Sequence, residues 1–178
     1  GGDEICRKIL QGKVKVTVEE IVDSILDFLA TLTIAATTTK FIAREELAIG
    51  QSGIGYHSDN FKAWFLGKKE ESQTETTLRS HQLKKRSRDL PIIAELGGEE
   101  KAETTLSAIH WLISQQAKGE AGTLLTNGYA NIFYVRDANG VLWAAGCRWV
   151  SSCGDWVVGA SPVAAPDAWR AGDQVFSR

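Results

Sequence analysis

Three histidines, three cysteines and one short basic run are the residues of this 178-residue chain whose types could do chemistry. His57 lies in the glycine-rich stretch 50–59, His81 in a charged segment, and His110 beside Trp111 in a helical pattern. Zinc sites draw on Cys, His and acids at set spacings, and none stands so placed around any of the three. They read as loop, solvated and helix-packing histidines. Cys147 and Cys153 lie six positions apart, with Cys6 remote. An odd count without a Cys-x-x-Cys spacing argues against a disulfide framework and leaves a single Cys147–Cys153 bridge open. As nucleophiles these thiols would need a neighbouring base that the local sequence does not supply. Residues 50–55 (GQSGIG) lack the lysine of a P-loop and a clear preceding strand. The adjacent acids Glu19-Glu20 and Glu45-Glu46 project to different helix positions, as on solvated faces. The expectation is a protein that is not an enzyme and uses no cofactor or metal.

The basic run, residues 84–88 (KKRSR), follows Arg79 and has the charge to contact phosphates. Glu70, Glu71, Glu75 and Asp89 balance it, so it reads as a charged surface segment. A net charge of −2 gives no general pull toward nucleic acid or an acidic membrane. No apolar run is long enough to cross a bilayer, and the start GGDEICRKIL lacks a signal-peptide layout. The expected location is cytoplasmic, with surface or virion display as the exception. The Gly-Gly start and the absence of Met leave open whether a leader or tag was removed.

These residues must be held by elements, and the pattern predicts helices first. Thr17-Val-Glu-Glu20 forms a capping box, and Ile21, Ile25, Phe28, Leu29 and Leu32 follow at helical spacing. Ser58 or Asp59 caps a short helix carrying Phe61, Trp64 and Phe65. Residues 68–88 read as a solvated charged segment. Pro91 and Gly97-Gly98 bracket a break. A helix is expected over 99–118, with Leu106, Ile109, His110 and Ile113 on one face and Gly119 as C-cap.

Composition then changes. All 11 Lys and 13 Glu lie at or before Glu120, and four of the six Trp lie after it. Beyond Asn127 the hydrophobic period becomes two. Strands are predicted at 129–136, 141–150 and 156–161, with an Asn-Gly turn at 137–140 and Val175-Phe176 as a short last strand. The expected fold is α+β: an N-terminal helical region, residues 1–120, for display or oligomerisation, then a small Trp-rich antiparallel β meander at 127–178. Alternation puts Trp143, Ala145, Cys147 and Trp149 on one face with Trp156. The other face carries Ala144, Gly146, Arg148, Val150, Val157, Gly159 and Ser161, without the Thr, Lys and Glu usual on a solvated strand.

Residues 131–144 (NIFYVRDANGVLWA), the isolated Trp149, residues 155–163 (DWVVGASPV) and residues 166–178 (PDAWRAGDQVFSR) resemble the variable region of proteins diversified by diversity-generating retroelements. The likeness is to the short members ending in Val-Phe-Ser-Arg. In such families a reverse transcriptase miscopies template adenines. Asn codons become a restricted set without Lys, Glu, Gln, Met or Trp, while scaffold codons persist. The resemblance implies a ligand-binding surface of Gly146, Arg148, Val150, Ser151, Ser152, Cys153, Asp155, Val157, Gly159, Ser161, Asp167, Arg170 and Asp173. Gln174 would be a fixed position. The implied partner is a protein or cell-surface ligand, with the helical part displaying, tethering or homo-oligomerising the module. The alternative is a small phage- or mobile-element-type adaptor that binds nucleic acid or a host protein through residues 84–88.

Overall fold

A computed structural model describes residues 23–178. The capping box at 17–20, Ile21 and Cys6 lie outside the described residues. In chain order the elements are β1 (Leu26–Ile34), β2 (Phe41–Ile42), α1 (Ala43–Glu46), β3 (Ile54–His57), α2 (Asp59–Trp64), β4 (Lys69–Glu70) and β5 (Thr76–Leu83). There follow α3 (Asp89–Leu96), α4 (Glu99–Ala102), α5 (Leu106–Ser114), β6 (Asn131–Arg136), β7 (Leu142–Val150), β8 (Asp155–Pro162) and β9 (Gln174–Ser177).

Seven strands form one sheet in the order β1-β5-β9-β6-β7-β8-β3, while β2 and β4 pair separately. The sheet is mixed: β6 and β9 run parallel, as do β3 and β8, and the other neighbours are antiparallel. This overturns the expected α+β arrangement of a helical N-terminal region followed by a small meander. Strands dominate, the helices are short, and strands from both sides of the composition boundary interleave in one sheet.

The apolar stripe from Ile25 to Leu32 belongs largely to an edge strand, not a helix. Its β-branched Thr31, Thr33 and Ile34 suit extended backbone. The pairing of β1 with β5 slips between Phe28 and Ala30. The extra residue of such a bulge moves everything after it to the opposite face. Leu26 and Ile34, an even number of positions apart, accordingly sit in different core clusters. The segment expected to be solvated contains β5, whose Leu78, Ser80, His81 and Leu83 are buried. Four of the ten residues of the glycine-rich stretch form β3, added parallel to the edge of β8.

The helix expected over 99–118 is two helices. Glu103 makes an isolated bridge to Tyr134, and the Thr104 backbone N–H donates to the Tyr134 carbonyl at 2.7 Å. Thr105 then caps α5, its side chain accepting from the Ala108 N–H at 3.2 Å. The α2 cap is Ser58, which accepts from the Phe61 N–H at 3.2 Å.

Apolar side chains cover both faces of the sheet. On one, Trp143, Ala145, Cys147, Trp149, Trp156 and Val158 pack with Phe133, Phe176 and the apolar side of α5. On the other, Ile132, Tyr134, Leu142, Ala144 and Val175 pack with Ile92 and Ile93 of α3 and Ala102 of α4. The second face of the meander is therefore not bare along its whole length, because α3 and α4 cover its β6 side.

Candidate functional site

Between β7 and β8 the register pairs Trp149 with Trp156, Gly146 with Gly159 and Arg148 with Val157. The two indoles meet edge to face, 5.5 Å between centroids, on the inner side. The Trp156 N–H donates to the Gln116 carbonyl at 2.8 Å, and the Trp143 N–H donates to Asp137 Oδ2 at 3.1 Å. Buried indoles with satisfied N–H groups make a stiff backing. Gly119, at φ +70°, lies flat against the Trp149 ring, where any side chain would collide.

On the reverse side, past the cover of α3 and α4, the strands open into two hollows. One, of about 310 Å³, is lined by Gly146, Arg148, Val150, Val157, Gly159 and Ser161, with Ser58, Ala130 and Ala144 among its other walls. The second, of about 390 Å³, takes Arg148, Ser161, Asp167, Arg170 and Asp173 together with Asp89. Arg148, Ser161 and Trp169 line both, so the hollows adjoin. The remaining implied contacts stand elsewhere. Ser151, Ser152 and Cys153 form the exposed β7–β8 turn, and Asp155 lies over Gly55 of β3.

Asp173, although it lines the second hollow, is only 1% exposed. Its carboxylate accepts the Ala130 N–H at 2.8 Å and the Arg170 N–H at 2.7 Å, which ties the β9 approach to the sheet. Gln174 is buried in β9 and donates to the Thr123 carbonyl at 3.2 Å.

Asp89, which in the sequence reads only as a charge balancing the basic run, is the acid at the floor of the second hollow. It is 2% exposed, and its Oδ1 accepts from the Tyr134 hydroxyl at 2.9 Å and the Trp169 N–H at 2.7 Å. Burial raises its carboxyl above the ordinary range, against the lowering effect of those two donors. No local motif marks it: as the first residue of α3 it reads as a helix-favouring acid.

The catalytic candidates stay apart. Burial holds all three imidazoles below the usual histidine value. His57 is fixed at 2.7 Å to the Leu47 carbonyl, and His81 packs edge-on to Phe28. His110 has Ser52 at 3.4 Å and Glu46 at 3.9 Å, but both face the same ring nitrogen, Nε2. A relay needs the acid on one nitrogen and the hydroxyl on the other. Cys147 and Cys153 are free thiols, the first buried and pushed well up in pKa by that burial. Among the described residues no His, Cys, Asp and Glu group has the arrangement to hold a metal ion. Nor is any helix of the described residues long and apolar enough to cross a membrane.

In the basic run, Lys84 lies 3.7 Å from Asp27 and Lys85 lies 2.6 Å from Asp23. Ser87 bridges to Trp169. Lys84 and Lys85 are thus paired with acids of the β1 side, while Arg86 and Arg88 stay exposed. Compared with known proteins, the chain matches no family model, no curated protein and no solved structure.

Proposed function

We propose that the chain is a non-enzymatic ligand-binding protein that presents the open end of the β7–β8 outer face, with the loop leading to β9, to a protein or cell-surface ligand. The observation that carries this reading is the convergence of nine residues from the implied binding surface on two adjoining hollows. Six come from strand alternation, and three arrive from the loop after β8. Their side chains are mostly small and an aromatic layer backs them, so the outward residues other than Gly146 and Asp173 can change without disturbing the core. This is the division of labour that diversification by a retroelement requires.

Deep sequencing of the coding region across a population tests it. The expected result is variation confined to outward positions of β7, β8 and the 162–173 loop, with Trp143, Trp149, Trp156 and Gln174 constant. A template repeat and a reverse transcriptase gene would stand nearby. Uniform variation, or none, would remove the diversified reading.

A further inference from the structure

We infer that Asp89 forms a cation-recognition site at the floor of the second hollow, taking an ammonium or guanidinium group such as a Lys or Arg side chain of a protein ligand. This rests on the ligand-binding reading above. Both hydrogen bonds to Asp89 arrive at Oδ1, and Oδ2 has no partner among the described residues. Asp89 lines the hollow, which sets its carboxyl against that open space.

A carboxylate this deep is stable when paired with a countercharge, yet no cation lies within ion-pair distance of Asp89 among the described residues. The hollow's arginines do not supply one. Arg170 stacks on Tyr129 at 4.7 Å and bonds the Gly128 carbonyl at 3.2 Å. Arg148 is exposed on the rim. With Arg170 set beside Asp173, the hollow keeps Asp89 and Asp167 against Arg148 alone, an excess of acid. Trp169 lines the same space, and an indole attracts a cation that reaches its ring.

Asp89 and Tyr134 lie outside the positions implied to vary, and Trp169 is a scaffold residue. Variants of the rim would therefore share one fixed requirement, a positive group on whatever they bind.

The test follows the indole N–H resonances by ¹⁵N NMR while methylguanidinium or butylammonium chloride is added at constant ionic strength. The Trp169 resonance is expected to shift saturably and the core indoles to stay put. Asp89→Asn keeps an acceptor for Tyr134 and Trp169 but carries no charge, and should weaken the response roughly tenfold or more. Ser161→Lys, on the half-exposed rim, supplies a tethered cation and should abolish it even if the Asn variant folds poorly. A silent Trp169, an unchanged response in either folded variant, or a response to acetate or phosphate that survives Asp89→Asn would overturn the assignment. If sequencing shows rim variation while Trp169 stays silent, the cation site alone fails. Cation capture without rim variation leaves the Asp89 site in place and removes diversification.

Discussion

Gly146 and Gly159 face each other across β7 and β8, and both line the first hollow, yet their surroundings differ. A Cβ on Gly146 would stand 2.8 Å from the Asn131 carbonyl oxygen, a backbone atom of the neighbouring strand that has no room to retreat. A Cβ on Gly159 would meet only the Ser58 side chain, Oγ at 3.5 Å and Cβ at 3.7 Å, both ordinary contacts. Gly146→Ser is therefore expected to lower stability by about 1–3 kcal/mol through overpacking. Gly159→Ser should be neutral or slightly stabilising, because a side chain restricts the unfolded strand. Urea titrations of the two variants check this, and equal losses would refute it. The same contrast narrows the exchangeable surface: Gly159, Val157, Ser161 and Arg148 have freedom there that Gly146 and the buried Asp173 lack.

At the scale of elements, α5 is held at its start by a residue from another part of the chain. Glu70 of β4 accepts the Leu106 and Ser107 N–H groups, each at 2.9 Å, and pairs with Lys68 at 3.1 Å. Those N–H groups have no partner within the helix, and a carboxylate there also meets the positive end of the dipole. Because Leu106, Ile109, Leu112 and Ile113 are all buried, fraying of this end would disturb the core. Glu70→Ala should cost about 1–3 kcal/mol by chemical denaturation, with Glu70→Gln recovering part of it. No loss in the Ala variant would show the cap to be redundant.

Elements held by local pattern could be read from the sequence. The β6–β7 and β7–β8 hairpins carry a period of two, the first with an Asn-Gly turn, and Ser58 caps α2 as its type suggests. Elements set by distant partners could not. The β1 bulge mixes the two faces so that an edge strand mimics a helical stripe, and the bridge from Glu103 to Tyr134 splits what looks like one helix. The site divides the same way. Outward residues of β7 and β8 follow from alternation, whereas Asp89 and Ser58 reach the hollows from α3 and the α2 cap.

Over the whole molecule, β9 sits between β5 and β6 and joins the two compositional halves. Phe176 of β9 stacks on Phe133 of β6 at 4.5 Å, while the backbone of β9 pairs with β5 on its other side. Residues 121–178 produced alone would leave β9 without β5, and the Trp-bearing face without α5. The fragment is expected to lack a cooperative thermal transition, checked by circular dichroism and calorimetry. A sharp transition would show that the C-terminal strands fold independently.

The central placement of β9, between β5 and β6, also governs when the sheet can close. Strand β9 is synthesised after both of its neighbours, so β5 and β6 wait with unpaired facing edges until it is made. Pairings so remote in sequence form late and slow the search for the native state, and the waiting edges are templates for other chains. A nascent chain of this protein is thus most exposed to aggregation just before residues 174–177 leave the ribosome.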